Sequence, residues 1–371
     1  VAISDPEWLL SFPEINIVCR TEGEKVIEKI ANRLAENESI ADLPSLWIKN
    51  ENGNIIRNPS EELVSLDDYS TDFSLFEDER FIRPMGGQII RAIPLETYRG
   101  CPNKCTYCNS PIHNTHARVE KRTYLRRRSV DNIRQEIEHL INDYNINFFY
   151  IVDDDFLARP RSEINDFLEM YNEYKVPFWF NTRAEQVKLD YLVGLKNVGM
   201  FRASFGIESG SEEFRRKYLG RSATNERLLE KYQIIYESGI EYSINVVIGF
   251  PYENREKVFD TINFVKKIKG YDSITVSIFT PYRGTVLRTM AINEKWLDPD
   301  AMTVHTTATS ILNMPDFTAK EIDGLMLTLV LYVAFDESHW SEIEKIEKFQ
   351  DEDNKIYDKY SEMYRKLKWN E

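Results

Sequence analysis

The chain has 371 residues, 42% hydrophobic and 12% aromatic, a globular composition long enough for one large core with smaller flanking units. Its net charge of −14 argues against broad electrostatic capture of nucleic acid or of an anionic membrane surface, so no nucleic-acid partner is expected. Four cysteines are too few for a disulfide framework. In chain order, residues 1–66 begin with a helix-like DPEWLLSF, then a strand INIVCR, the turn TEGE and an amphipathic helix from Lys25 to Asn37. LWIKNENGNIIRN comes next as a hairpin with Asn-Gly at its turn. These residues read as the remnant of an N-terminal α/β domain, joined by a linker at 67–87 to a larger unit. The chain begins with valine and shows no signal peptide, so its true start is expected to lie upstream.

From 88 to 290 one unit repeats: a short β-branched or aromatic run, a polar turn, and an amphipathic stretch at helical spacing. The runs are 92–98, 147–152, 177–182, 200–207, 242–250 and 273–279, with helices expected near 130–144, 162–174, 188–197, 224–238 and 254–268. Such alternation implies parallel strands with right-handed crossovers. Six units fall short of a closed eight-stranded barrel, so the expected fold is α/β, a partial (β/α)6 barrel with its site at the strands' C-terminal ends. An ordinary doubly wound sheet has the same periodicity. The basic run KRTYLRRR, Lys121 to Arg128, reads as a solvated lead-in to a helix. Residues 291–371 are expected to be a helical segment that covers the barrel. Within it, Leu325 to Phe335 is too short to span a bilayer and reads as a buried helix, and the tyrosines and tryptophans read as packing residues.

The ends of the six runs carry the chemistry. After the first comes RGCPNKCTYCNSP, with Cys101, Cys105 and Cys108 spaced C-x3-C-x2-C. Three thiolates from one loop can hold a [4Fe-4S] cluster by three irons and leave the fourth open to a small molecule. Two other readings fit the same residues: a zinc site of Cys105, Cys108, His113 and His116, or a cluster used only for electron transfer. The latter needs a fourth cysteine, and Cys19 lies in a distant segment, where it reads as a small buried apolar residue. Exposed cluster thiolates require a reducing compartment, so a cytoplasmic location is expected.

The second run ends in Asp153, Asp154 and Asp155, acceptors for a primary ammonium, and the third in Asn181 and Arg183, whose guanidinium suits a carboxylate. After the fourth, Glu208 and Ser211 can bond ribose hydroxyls, with Arg221 returning from the next loop. In the fifth, Gly249 permits close backbone approach and Pro251 stiffens the turn. The sixth, FTPYRGT, offers groups that could hold an adenine ring.

This ordered set resembles the core of the radical S-adenosylmethionine (SAM) superfamily over about residues 88 to 290. The resemblance implies that Cys101, Cys105 and Cys108 hold the cluster and that SAM is chelated by its open iron. Reductive cleavage would then give a 5′-deoxyadenosyl radical that abstracts hydrogen from an organic substrate. It places Tyr107 near the adenine, Asp153 or Asp154 at the SAM amino group, and Glu208 and Ser211 at the ribose and methionine parts. NVVIGFPYE departs from the family's G-x-I-x-G-x-x-E, with Asn245 and Val247 at its first and third places and Glu253 one residue late. Implied partners are an external one-electron reductant of the flavodoxin or ferredoxin type and a small-molecule or peptide substrate. TEGEKVIEKI, the Asn-Gly hairpin and SLDD are similar to the stretch joining a cobalamin-binding domain to such a core, which implies cobalamin and C-methyl transfer. The sequence has no D-x-H-x-x-G element and no histidine before Cys101. A cobalamin-independent rearrangement or ring-forming enzyme and a non-catalytic metal-stabilised barrel are the alternatives.

Overall fold

The structure is a computed structural model that describes residues 1–85, 88–119 and 123–369. The N-terminal unit comprises α1 (Pro6–Ser11), β1 (Ile17–Cys19), α2 (Glu24–Ala35), β2 (Leu46–Lys49) and β3 (Ile55–Arg57). Its strands form an antiparallel sheet in the order β1-β2-β3, with the hairpin turn closed by Gly53 N–H to Asn50 O at 2.9 Å. A small core of Val26, Leu43 and Leu46 holds α2 to this sheet.

The main body continues as β4 (Ile82–Met85), β5 (Gln88–Leu95), β6 (Tyr98–Arg99), α3 (Ser110–Val119), β7 (Arg126–Arg127), α4 (Val130–Tyr144) and β8 (Phe148–Ile151). Next come α5 (Arg161–Tyr171), β9 (Phe178–Thr182), α6 (Leu189–Asn197), β10 (Met200–Glu208), α7 (Glu212–Tyr218) and α8 (Asn225–Ser238). The body ends with β11 (Glu241–Ile248), α9 (Arg255–Val265), β12 (Ser273–Ile278) and α10 (Val286–Asn293). The helices α11 (Ala319–Ala334), α12 (Trp340–Glu347) and α13 (Lys355–Trp369) complete the chain.

The large sheet has the order β12-β11-β10-β9-β8-β5-β4. Six strands are parallel, as the alternation predicts, and β4 adds antiparallel to β5 at the edge. That seventh strand is a departure from the sequence expectation, which placed its residues in a linker. Pro84 lowers strand propensity there, and only an edge tolerates it. The sheet is a curled half-barrel whose ends, β12 and β4, do not pair.

The two faces differ in polarity because alternate residues of each strand point to opposite sides. Phe149, Ile151, Phe178, Phe180, Phe205, Ile207, Ile244 and Val246 bury against the crossover helices. The concave side is polar: Asn181 Nδ2 donates to Tyr150 Oη at 2.5 Å, Trp179 Nε1 to Ser204 Oγ at 2.8 Å, and Ser204 and Ser243 share a hydrogen bond of 2.6 Å. A polar lumen inside an apolar shell is suited to a polar ligand.

Helix α11 buries Ile322, Leu325, Leu329 and Tyr332 and begins with a capping box between Thr318 and Glu321. No described helix is long and apolar enough to cross a membrane. Tyr332 and Trp340 pack on Phe259 and each other, and Phe335 on Tyr360, the packing role expected of these aromatics.

The basic run leads into α4, with Arg127 exposed, but two of its arginines depart from the expectation of a solvated stretch. Lys121 and Arg122 lie outside the described residues. Arg126 pairs with Glu22, and Arg128, buried, with Glu136, so these arginines join segments rather than face solvent.

Gly210, between β10 and α7, lies against α9: a Cβ there would come within 2.5 Å of Thr261 Cα and 2.6 Å of Phe264 Cβ. Gly210→Ala is therefore expected to destabilise the fold by about 1–3 kcal/mol through overpacking, read as a lower urea midpoint.

Candidate active site

The cysteine loop runs from the end of β6 into α3, above the C-terminal end of β5. Thr106 ties it down: its N–H donates to Leu219 O at 3.3 Å, its Oγ1 to Tyr218 O at 2.5 Å, and its carbonyl accepts from Leu287 N at 3.2 Å. Cys101 is buried, while Cys105 and Cys108 are half-buried. Every sulfur has a donor beside it. Asn103 Nδ2 lies 3.2 Å from Cys101 Sγ, Arg183 NH1 3.8 Å from Cys105 Sγ, and Ser110 N 3.5 Å from Cys108 Sγ.

Burial pushes the Cys101 thiol up to about 12. Burial also raises Cys105, with the charges of Arg221 and Arg183 opposing it. These two thiols are thus neutral in the metal-free fold and must release protons to become ligands. Among the described residues no three His, Cys, Asp or Glu side chains are already drawn together as a metal site. For the zinc set, His113 stacks on Tyr124 with ring centroids 5.0 Å apart, and His116 lies 3.4 Å from Arg20. Three soft sulfur donors of one loop, each with a hydrogen-bond donor at hand, fit an iron–sulfur cluster.

The three aspartates after β8 have three different surroundings. Asp153 is buried and saturated: it accepts from Thr97 N at 2.8 Å, Thr97 Oγ1 at 2.5 Å and Tyr98 N at 3.0 Å, and pairs with Arg159. Asp154 accepts from Ser110 Oγ at 2.8 Å and lines a cavity of about 760 Å³. Asp155 turns inward to Thr182 Oγ1 at 2.6 Å and Asn103 Nδ2 at 2.8 Å.

Tyr107, Cys108 and Tyr282 share that cavity with Asp154, and Arg20 to Glu24 of the N-terminal unit form its opposite wall. Glu22 fastens that wall: it accepts from Arg99 at 2.8 Å and from Val64 N at 3.0 Å and pairs with Arg126. Tyr282 is thus the residue of FTPYRGT that reaches the cavity, whereas Arg283 stacks on Trp8 and pairs with Asp5 at 2.7 Å.

Behind the cysteines lies a buried charged cluster. Arg221 NH1 donates to Glu208 Oε1 at 3.1 Å, and its NH2 to Glu185 at 3.2 Å and to Gly206 O at 2.8 Å. Arg183 NH2 donates to the same Glu185 at 2.5 Å. Burial would raise Glu185, but Arg221 and Arg183 more than offset it and hold the carboxyl near 2. Burial pushes Glu208 up, with Arg221 and a hydrogen bond from Tyr107 drawing it back. Glu208 sits at φ +65°, a costly backbone for a non-glycine residue, and its carboxylate folds over Gly206, where a Cβ would lie 2.4 Å from Oε1. Tyr107, raised by burial and by Glu208, packs on Phe250 with centroids 5.5 Å apart.

The structure therefore gathers Tyr107, Arg183, Glu208 and Arg221 around Cys105, and Asp154 with Cys108 at the cavity. Ser211 and Gly249 stand apart from both. Ser211 is the buried residue preceding α7, and its carbonyl accepts from Arg215 N at 2.9 Å. Gly249, at φ +81°, faces Ile322 of α11, 3.0 Å from where a Cβ would be. Its amide donates to Glu253 Oε2 at 2.6 Å. Sequence reasoning missed Glu185 and Asn103; a charged residue two positions after Arg183 was the available signal for the first.

Burial pushes the Glu253 carboxyl up to about 8, against the pull of the Gly249 and Phe250 amides, and Oε1 has no partner among the described residues. A raised folded-state value means stability that is present below the ordinary carboxylate range and lost as pH rises through about 8. Glu253→Gln is expected to remove that dependence, gaining roughly 1–4 kcal/mol on wild type between pH 6 and 9 in urea melts at each pH.

The fold is a half-open parallel α/β barrel with three thiols of one loop over the end of its first parallel strand. The family model "Radical SAM superfamily" matches residues 95–265. It is 26% identical over 318 residues to the uncharacterized methyltransferase PH0819 of Pyrococcus horikoshii, covering 85% of this chain and 66% of that protein. The fold is similar to that of the cobalamin-dependent SAM radical enzyme OxsB, with TM-score 0.63, 16% identity and coverage of 99% of this chain and 57% of OxsB. It is also similar to the radical SAM methyltransferase TsrM of Kitasatospora setae, with TM-score 0.63, 16% identity and coverage of 78% and 56%. The chain thus spans less than two thirds of each of these proteins.

Proposed function

We propose that the chain is the core of a radical SAM enzyme that holds a [4Fe-4S] cluster on Cys101, Cys105 and Cys108, cleaves SAM reductively and abstracts hydrogen from an organic substrate, with cobalamin-dependent methyl transfer as the further step. The observation that carries this reading is the loop of three thiols between a cavity and a buried Arg–Glu cluster. When bound, the cluster supplies the electron that an external flavodoxin- or ferredoxin-type protein delivers, and an iron open to SAM.

The chain's own residues bind and orient. Asp154, the aspartate at the cavity, is the acceptor for the SAM ammonium. Arg183, beside Cys105 and with a buried Nε that has no partner among the described residues, is the donor for the carboxylate. Glu208 serves the ribose, and Tyr107 with Phe250 provides the apolar wall for adenine. Asp153 holds Thr97 and Tyr98, and so the base of the cysteine loop. The cavity takes a small molecule or a peptide segment.

Cobalamin use is supported by PH0819, named as a methyltransferase, and by OxsB and TsrM, solved with cobalamin bound. On this reading residues 1–66, which wall the cavity opposite the cysteines, stand on the cobalamin side. Cobalt would there have no ligand of the D-x-H-x-x-G kind from these 371 residues.

Anaerobic reconstitution tests the reading. Iron and sulfide in the ratio of one [4Fe-4S] cluster, and reductant-dependent release of 5′-deoxyadenosine from SAM, are expected. Stoichiometric zinc without iron overturns it. Added aquacobalamin that fails to co-elute with the protein removes the methyl-transfer step alone.

A further inference from the structure

Asn103, a residue between the first two cysteines, brings its side-chain nitrogen closer to Cys101 Sγ than Arg183 NH1 comes to Cys105 Sγ or Ser110 N to Cys108 Sγ. Its amide nitrogen has two hydrogens, and both are committed. One points to Cys101 Sγ at 3.2 Å and the other to Asp155 Oδ2 at 2.8 Å. Asp155 is in turn fixed from β9, by Thr182 Oγ1 at 2.6 Å and Arg183 N at 3.3 Å, and is only 4% exposed. A continuous set of hydrogen bonds therefore runs from the end of the third parallel strand to the sulfur of the first cysteine.

Cys101 is the most buried of the three, so solvent does little to stabilise negative charge on its sulfur. A hydrogen bond to a ligating sulfur draws electron density from the cluster and favours the reduced state, one of the levers by which a protein sets an iron–sulfur potential. The nearby Asp155 carboxylate acts in the opposite sense, and the Asn103 amide stands between it and the sulfur.

We propose that Asn103, held by Asp155, is a positioning residue that raises the reduction potential of the cluster through the Cys101 sulfur, making the one-electron reduction accessible to the external donor. This rests on the cluster assignment of the proposed function. An alanine at 103 would remove the side-chain donor and leave the sulfur only the backbone N–H of residue 103.

The test is an EPR-monitored redox titration of the anaerobically reconstituted chain. Asn103→Ala is expected to keep its iron while the equilibrium constant for reduction falls about tenfold, a shift of about 59 mV to lower potential for a one-electron couple. Asn103→Ser, which retains an O–H donor, is expected to recover part of the shift. A fully loaded Asn103→Ala cluster with the wild-type midpoint overturns the proposal. Should that variant not assemble, wild type labelled with ¹⁵N in its asparagine amides carries the test. Pulsed EPR of the reduced cluster is expected to show a ¹⁵N coupling that Asn103→Ser lacks and Asp155→Ala weakens, and absence of the coupling in wild type overturns the proposal. Failure of wild type to take up any cluster defeats the proposed function with it, whereas a cluster with an unmoved midpoint defeats this inference alone.

Discussion

Cys105→Ala is expected to give a folded protein that takes up only background iron on anaerobic reconstitution and releases 5′-deoxyadenosine at least roughly a thousandfold more slowly than wild type. The fold has little at stake in this thiol. It is neutral in the metal-free protein, because burial raises it beyond what Arg221 and Arg183 can offset, so its removal strands no charge. Losing one half-buried sulfur without a strong hydrogen bond should cost no more than about 1 kcal/mol, so the urea midpoint separates loss of the cluster from loss of the fold. Cys19→Ala is the matched control. Its sulfur lies in β1 with only weak contacts, 3.8 Å from Thr21 O and 3.7 Å from Glu22 O, and its replacement is expected to leave iron uptake unchanged. Wild-type SAM cleavage by Cys105→Ala would defeat the three-thiolate reading.

What the sequence reveals here is what repeats locally. Strands and crossover helices have their own periodicities, so five of the six parallel strands, α4, α6, α8 and the Asn-Gly hairpin are read within a residue or two, while the first strand, expected at 92–98, is Gln88–Leu95. The cysteine spacing is likewise local. The site around it is not. Arg183, Glu185, Glu208 and Arg221 meet only because β9 and β10 are neighbours, and no spacing rule in the chain announces that they pair. The run Asp153, Asp154, Asp155 shows the same limit: three identical side chains acquire three roles from Thr97, Ser110 and Thr182, each on a different segment. Edge strand β4 was missed because a strand with proline is stabilised by its neighbour and not by its own propensity.

Arg221→Met is expected to cost about 3–5 kcal/mol of stability, the largest single loss in the barrel, because it leaves buried carboxylates without their counter-charge. Arg221 is only 2% exposed and serves Glu208, Glu185 and the Gly206 carbonyl at once. Arg183 alone then faces both glutamates and is drawn further towards Glu185, away from Cys105. Lysine is not expected to substitute, since one ammonium cannot reproduce a planar fork bonded to three acceptors. The double variant Arg221→Met/Glu208→Gln separates charge from packing. If stranded charge is the cause, neutralising Glu208 recovers part of the loss, giving a coupling energy of roughly 1–3 kcal/mol in the double-mutant cycle. If the two losses simply add in urea melts, the cluster is held by packing and the electrostatic account fails. The strained backbone of Glu208 favours coupling: a residue kept at φ +65° needs a partner that compensates for it, and Arg221 is the cation bonded to its carboxylate.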